Sequence, residues 1–124
     1  MGNDESNAPD GVGDESSEVD ETREYLAQVE QELAIREETL EANMREQEGL
    51  KRLLQTVNLE RGLRRGRVDQ LQAIDTYRRE VTRQLKRLQS KAVVLSADVR
   101  RAKERRGVVL EELDELAGKN LSST

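Results

Sequence analysis

Cysteine, histidine, phenylalanine and tryptophan are all missing from the chain, and proline occurs once. Without cysteine there is no disulfide framework and no thiolate chemistry. Without histidine as well, the usual zinc, haem and nucleophile-base sites have no side chains to build them. Two tyrosines are the only aromatics, so a conventional globular core cannot be filled. A sheet sandwich would need alternating β-branched and aromatic strands, and these are absent. Long apolar runs are missing too: the longest, Ala92 to Leu95, is far short of a membrane span. The first thirty residues hold no apolar stretch of the secretory type. These absences point to a cytoplasmic, all-α protein of 124 residues whose burial is thin.

What the chain does have is charge, at 38% of residues, and it is unevenly placed. Residues 1–22 carry acids, no cation and the single proline, and with little to bury they are expected to stay disordered. Residues 24–50 are strongly acidic, with only Arg36 and Arg45 opposing eight glutamates. Residues 51–106 are strongly basic, and the stretch from Gly107 turns acidic again. The formal net charge of −5 conceals this internal dipole.

Apolar residues recur with helical period. Ile74, Val81, Leu88, Leu95, Ala102, Val109 and Leu116 stand seven apart, with Leu71, Arg78, Leu85, Ala92, Val99, Arg106 and Leu113 as companion row. The first half carries a weaker pair of rows: Leu26, Leu33, Leu40, Gln47 and Leu54 beside Val29, Arg36, Asn43, Leu50 and Val57. Its polar middle either fixes register, as a buried Asn does in zippers, or lies on an edge turned to solvent. Between the halves the seam changes phase at "RGLRRGRVDQ", residues 61–70, where Gly62 and Gly66 each disfavour a helix interior. Gly62 after Arg61 suits a left-handed residue just past a helix end. Asp69 with Gln72 suits an N-cap and capping box.

The resulting expectation is a long two-helix coiled coil folded into an antiparallel hairpin over 20–118. Its helices are 20–61 and 70–117, its turn 62–69, and it is flanked by a disordered acidic tail at 1–19 and disordered residues 119–124. Folding back sets the acidic 24–50 against the basic 81–107, whereas a parallel dimer would stack like charges. An antiparallel pairing between two chains satisfies the same electrostatics. Gly107 is a second place where the helix could break, and Gly118 suits its end.

No catalytic pattern stands out, so an enzyme and a bound cofactor are not expected. Carboxylates spread along helix faces form no calcium-loop spacing, "GVG" at 11–13 follows no strand, and "NLS" at 120–122 means little without a secretory leader. The candidate partner-binding residues are Arg78, Arg79, Arg83, Lys86 and Arg87 on the basic stretch, and Leu110, Leu113 and Leu116 as seam residues left over beyond the hairpin. Two tyrosines are too few for the stacking that single-strand binders use, which argues against nucleic acid. "MGNDES" fits the loose N-myristoylation pattern at Gly2, for which the basic helix face would be the second anchoring signal.

One further pattern lies at residues 40–57, "LEANMREQEGLKRLLQTV", where Leu40, Met44, Glu48, Gly49 and Leu53 are spaced as apolar residues preceding a charged residue, a glycine and a leucine four on. This stretch resembles the first helix of the Rho effector homology region one, the antiparallel coiled-coil finger of protein kinase N, rhophilin and rhotekin. "VDQLQAIDTYRREVTRQLKRLQ" is similar in spacing to the second helix. Glu46 and Leu50 depart from the pattern, where the family favours an apolar residue and alanine. The resemblance implies binding of a GTP-loaded Rho or Rac protein along the hairpin. The residues themselves imply a coiled-coil interaction or scaffold subunit that assembles with itself or another helical protein. Peripheral binding of a membrane or polyanion through the basic helix is the remaining alternative.

Overall fold

The computed structural model describes residues 10–122, and the side-chain surroundings of residues 17–119. Two helices account for nearly all of it: α1, Asp10–Leu63, and α2, Val68–Ser122. Among the described residues there is no strand.

The chain turns at residues 64–67. The Arg64 amide donates to both the Glu60 and Arg61 carbonyls, a three-centre bond common at helix ends, and the Arg67 amide closes a turn onto the Arg64 carbonyl at 3.3 Å. Gly66 sits third in that turn with φ +87°, the left-handed position that glycine occupies without steric cost. The Arg67 carbonyl accepts the first α2 bond, from the Leu71 amide at 2.9 Å.

Several expectations are corrected here. Gly62 is helical, so the left-handed role belongs to Gly66 and the turn is tighter than 62–69. Asp69 is not the N-cap but an acidic residue of the first α2 turn, where its charge complements the helix dipole. Gly107 does not interrupt α2, since single glycines lower helix stability by only about 1 kcal/mol and the neighbouring apolar positions outweigh that. The first helix begins at Asp10 rather than residue 20, inside the segment expected as a disordered tail. Acidic residues in that stretch suit a helix N-terminus. At the other end α2 runs to Ser122, past the expected 117. Residues 1–9, with Gly2 among them, lie outside the described residues.

The paired segments form two units. One is continuous, Arg36–Asp98; the other joins the part of α1 ending at Ile35 to the part of α2 starting at Val99. In the continuous unit the helices are antiparallel: Arg36 meets Asp98 at 3.6 Å, Asn43 reaches Leu88, and Arg61 meets Asp75 at 2.8 Å. The discontinuous unit is antiparallel as well, with Glu32 against Arg105 at 3.0 Å and Glu18, Glu21 and Thr22 near Glu112, Glu115, Leu116 and Lys119.

Burial follows the heptad rows. Val29, Leu33, Val57, Val81, Val99, Ala102 and Val109 are the buried hydrophobic residues. Leucines of the same rows, among them Leu26, Leu40, Leu54, Leu85, Leu88 and Leu95, remain half-buried. The polar middle of the α1 rows faces inward: Asn43 is 5% exposed and Gln47 4%. Off the rows, Thr56, Thr76 and Thr82 donate their hydroxyls to the carbonyls four residues back, which lets threonine sit in a helix interior.

The charge blocks are less decisive than the sequence implies. Glu32 with Arg105 has the expected sense, but Arg36 with Asp98 and Arg61 with Asp75 place the cation on α1. Most charged residues lie on outward faces where water screens them, and exposed pairs of this kind contribute little. The turn and the buried rows are the stronger determinants of orientation.

Candidate functional site

Two surface features of the Arg36–Asp98 unit are candidates, and a buried polar clamp separates them from simple coil packing. In the clamp, Asn43 Nδ2 donates to the Leu88 backbone carbonyl at 3.1 Å, and Gln47 Nε2 donates to Asn43 Oδ1 at 2.7 Å and to the Leu88 carbonyl at 3.5 Å. No buried side-chain nitrogen or oxygen among the described residues lacks a partner. The carbonyl of a helical residue lies beneath the side chain four positions on. At that position α2 has the small residue Ala92. A satisfied polar network of this kind penalises any slipped register, because slipping would leave two buried amides unpaired.

The first surface feature is a basic groove. Asp75, Arg78, Arg79, Thr82, Arg83 and Lys86 recur at spacings of three and four, which puts them on one face of α2, and Arg61 joins them from α1. Arg61 Nε donates to Asp75 Oδ1 at 2.8 Å, Arg79 Nε to the Asp75 carbonyl oxygen at 3.4 Å, and Arg83 Nη1 to Glu80 Oε2 at 2.8 Å. The hydrogen bond from Arg61 holds the Asp75 carboxyl below its ordinary range, with the charges of Arg61, Arg78 and Arg79 acting in the same direction. The same bond raises Arg61 above the ordinary guanidinium value. Four of the five expected basic site residues, Arg78, Arg79, Arg83 and Lys86, are therefore brought together. The sequence reading missed Arg61 and Asp75 as members; the observed turn brings them together.

Arg87 goes elsewhere. It lines a second groove with Glu46, Gly49, Leu50, Gln84 and Leu88. Nothing in the fold occupies the space a side chain at Gly49 would take, so the half-buried Leu50 and Leu88 are approachable from solvent.

Leu110, Leu113 and Leu116 belong to the discontinuous unit, and their expected role as leftovers beyond the hairpin is corrected by the longer α1. Leu113 and Leu116 are half-buried, and Leu116 lies in a hollow with Glu18, Glu21 and Thr22 of α1; Leu110 is 44% exposed. That hollow gathers Glu18, Glu21, Glu112 and Glu115 around Lys119.

Among the described residues no cluster of acids could hold a metal ion, and no helix is long and apolar enough to cross a membrane. No family model, curated protein or solved structure matches the chain.

Proposed function

We propose that the chain is a non-enzymatic coiled-coil interaction subunit that assembles, in the cytoplasm, with its own copies or with other helical proteins. The observation that supports this most is incomplete burial: among the described side chains Leu33 is the only buried leucine, while valine and alanine fill the remaining buried apolar positions. Two helices can cover one narrow stripe each, and the leucines on its flanks stay half in water. A further helix laid along those flanks would bury them, at about 25 cal/mol per Å² of apolar area covered. The buried Asn43 and Gln47 fit the same reading, since polar residues in such seams select register and partner number.

The test is mass in solution. Light scattering across a concentration series should give a mass above the 14.1 kDa of one chain, and Leu53→Lys with Leu85→Lys should return it to that value. A chain that stays monomeric at every concentration and recruits no helical protein contradicts the proposal.

A second reading is binding of a GTP-loaded Rho-family protein. It is favoured by the groove at Glu46, Gly49, Leu50, Gln84, Arg87 and Leu88, which falls within the segments that resemble the Rho effector finger. Pull-down with GTP-analogue and GDP forms separates the two, because a plain assembly subunit has no nucleotide preference.

A further inference from the structure

The turn between α1 and α2 exposes more apolar surface than its size requires. Leu63 is 85% exposed, more than any other large hydrophobic side chain described, and Leu59 and Val68 are 71% and 68% exposed. Leu59 and Leu63 are one turn apart on α1 and so share a face, and Val68 opens α2 directly across the turn. Gly62 and Gly66 add no bulk between them, and the space above both is open.

Around these three side chains stand Arg61, Arg64, Arg65 and Arg67, against only Glu60 and Asp69. Arg61 is neutralised by Asp75. Arg64 donates to the uncharged Gln70 side chain at 2.9 Å and has no carboxylate partner among the described residues. For Arg65 and Arg67 no ion-pair partner is present among the described residues. Behind them the groove of Arg78, Arg79, Arg83 and Lys86 continues the positive potential along α2.

Apolar side chains projecting among arginines are the pattern of an interfacial anchor, in which the aliphatic groups enter the headgroup boundary and the guanidinium groups bind lipid phosphates and carboxylates. A nucleic acid would use the same cations but offers nothing to exposed leucines, and the tip has no aromatic ring for base stacking. We infer that the α1–α2 turn is a docking tip for an anionic lipid bilayer, with Leu59, Leu63 and Val68 entering the interface and Arg64, Arg65 and Arg67 binding its headgroups. The inference goes beyond the proposed assembly role and uses residues outside the heptad rows.

Co-sedimentation of the full chain with vesicles tests it. Phosphatidylcholine vesicles containing about a third phosphatidylserine should bind at least roughly tenfold more tightly than pure phosphatidylcholine, and the difference should shrink steeply with added salt. Replacing Arg64, Arg65 and Arg67 together by glutamine should weaken binding about a hundredfold, at roughly fivefold per arginine. Leu59→Ser with Leu63→Ser should weaken it about tenfold at unchanged charge. All five side chains are exposed, and unchanged helicity by circular dichroism confirms that both variants fold. Equal affinity for the two vesicle types overturns the inference. So does a leucine variant that binds like the parent, or duplex DNA that binds as tightly as the acidic vesicles and is indifferent to the leucine change.

Discussion

The interiors of the two units are built on different principles. The discontinuous unit buries Val29, Leu33, Val99, Ala102 and Val109 and no polar side chain among those described. The continuous unit buries only Val57 and Val81 as apolar groups, and gives two inward positions to Asn43 and Gln47. Apolar burial supplies free energy without direction, since a valine seam is nearly as content one heptad along. Amide hydrogen bonds to a single carbonyl supply direction at modest net gain. One unit is therefore the adhesive half and the other the indexing half, and the difference can be attacked by mutation.

The largest effect should come from the adhesive half. Leu33→Ala removes the one buried leucine among the described residues and should cost about 2–4 kcal/mol in urea denaturation, well beyond what any surface change there would do. In the indexing half, Asn43→Ala leaves Gln47 without its best acceptor and should cost about 1–3 kcal/mol. The double change Asn43→Leu, Gln47→Leu should instead hold or raise the denaturation midpoint. Cysteine pairs placed one heptad out of register should then crosslink in that variant, as they do not in the parent. If the double variant keeps a single register, the indexing role fails.

The turn glycines give a smaller and oppositely signed pair. Gly66→Ala forces a side chain into the left-handed region and should destabilise by about 1–2 kcal/mol, whereas Gly62→Ala, helical and unobstructed, should stabilise by about 1 kcal/mol. The smallest effect is that of the exposed Arg61–Asp75 pair. Because the folded state holds the Asp75 carboxyl below its ordinary range, its contribution is present above that range and is lost as pH falls through the depressed value. Asp75→Asn should therefore flatten the acid limb of a stability-against-pH curve slightly and leave the neutral region almost unaltered.

Much of this architecture is legible in the residues because heptad periodicity is a direct record of which side faces a neighbour. Val81, Ala102 and Val109 lie where counting by sevens from Ile74 puts them. What periodicity cannot assign is anything decided by a handful of local bonds. Both Gly62 and Gly66 interrupt helix propensity equally, and only the closure of the Arg67 amide onto Arg64 selects the second. The inward placement of Asn43 and Gln47 depends on an acceptor contributed by the other helix, and no local rule reveals that pairing. Charge misled in a different way: a count over dozens of residues registers Arg36 and Asp98 as minority members of opposing blocks, yet those two residues touch.

The division of the chain into one contiguous and one split unit also carries a temporal consequence. Residues Arg36–Asp98 can zip outward from a four-residue bend, each new contact closing only a short additional loop. The segments ending at Ile35 and starting at Val99 are separated along the chain by that whole unit, so their pairing closes a longer loop. The split unit is therefore expected to form last during folding and to fray first under stress.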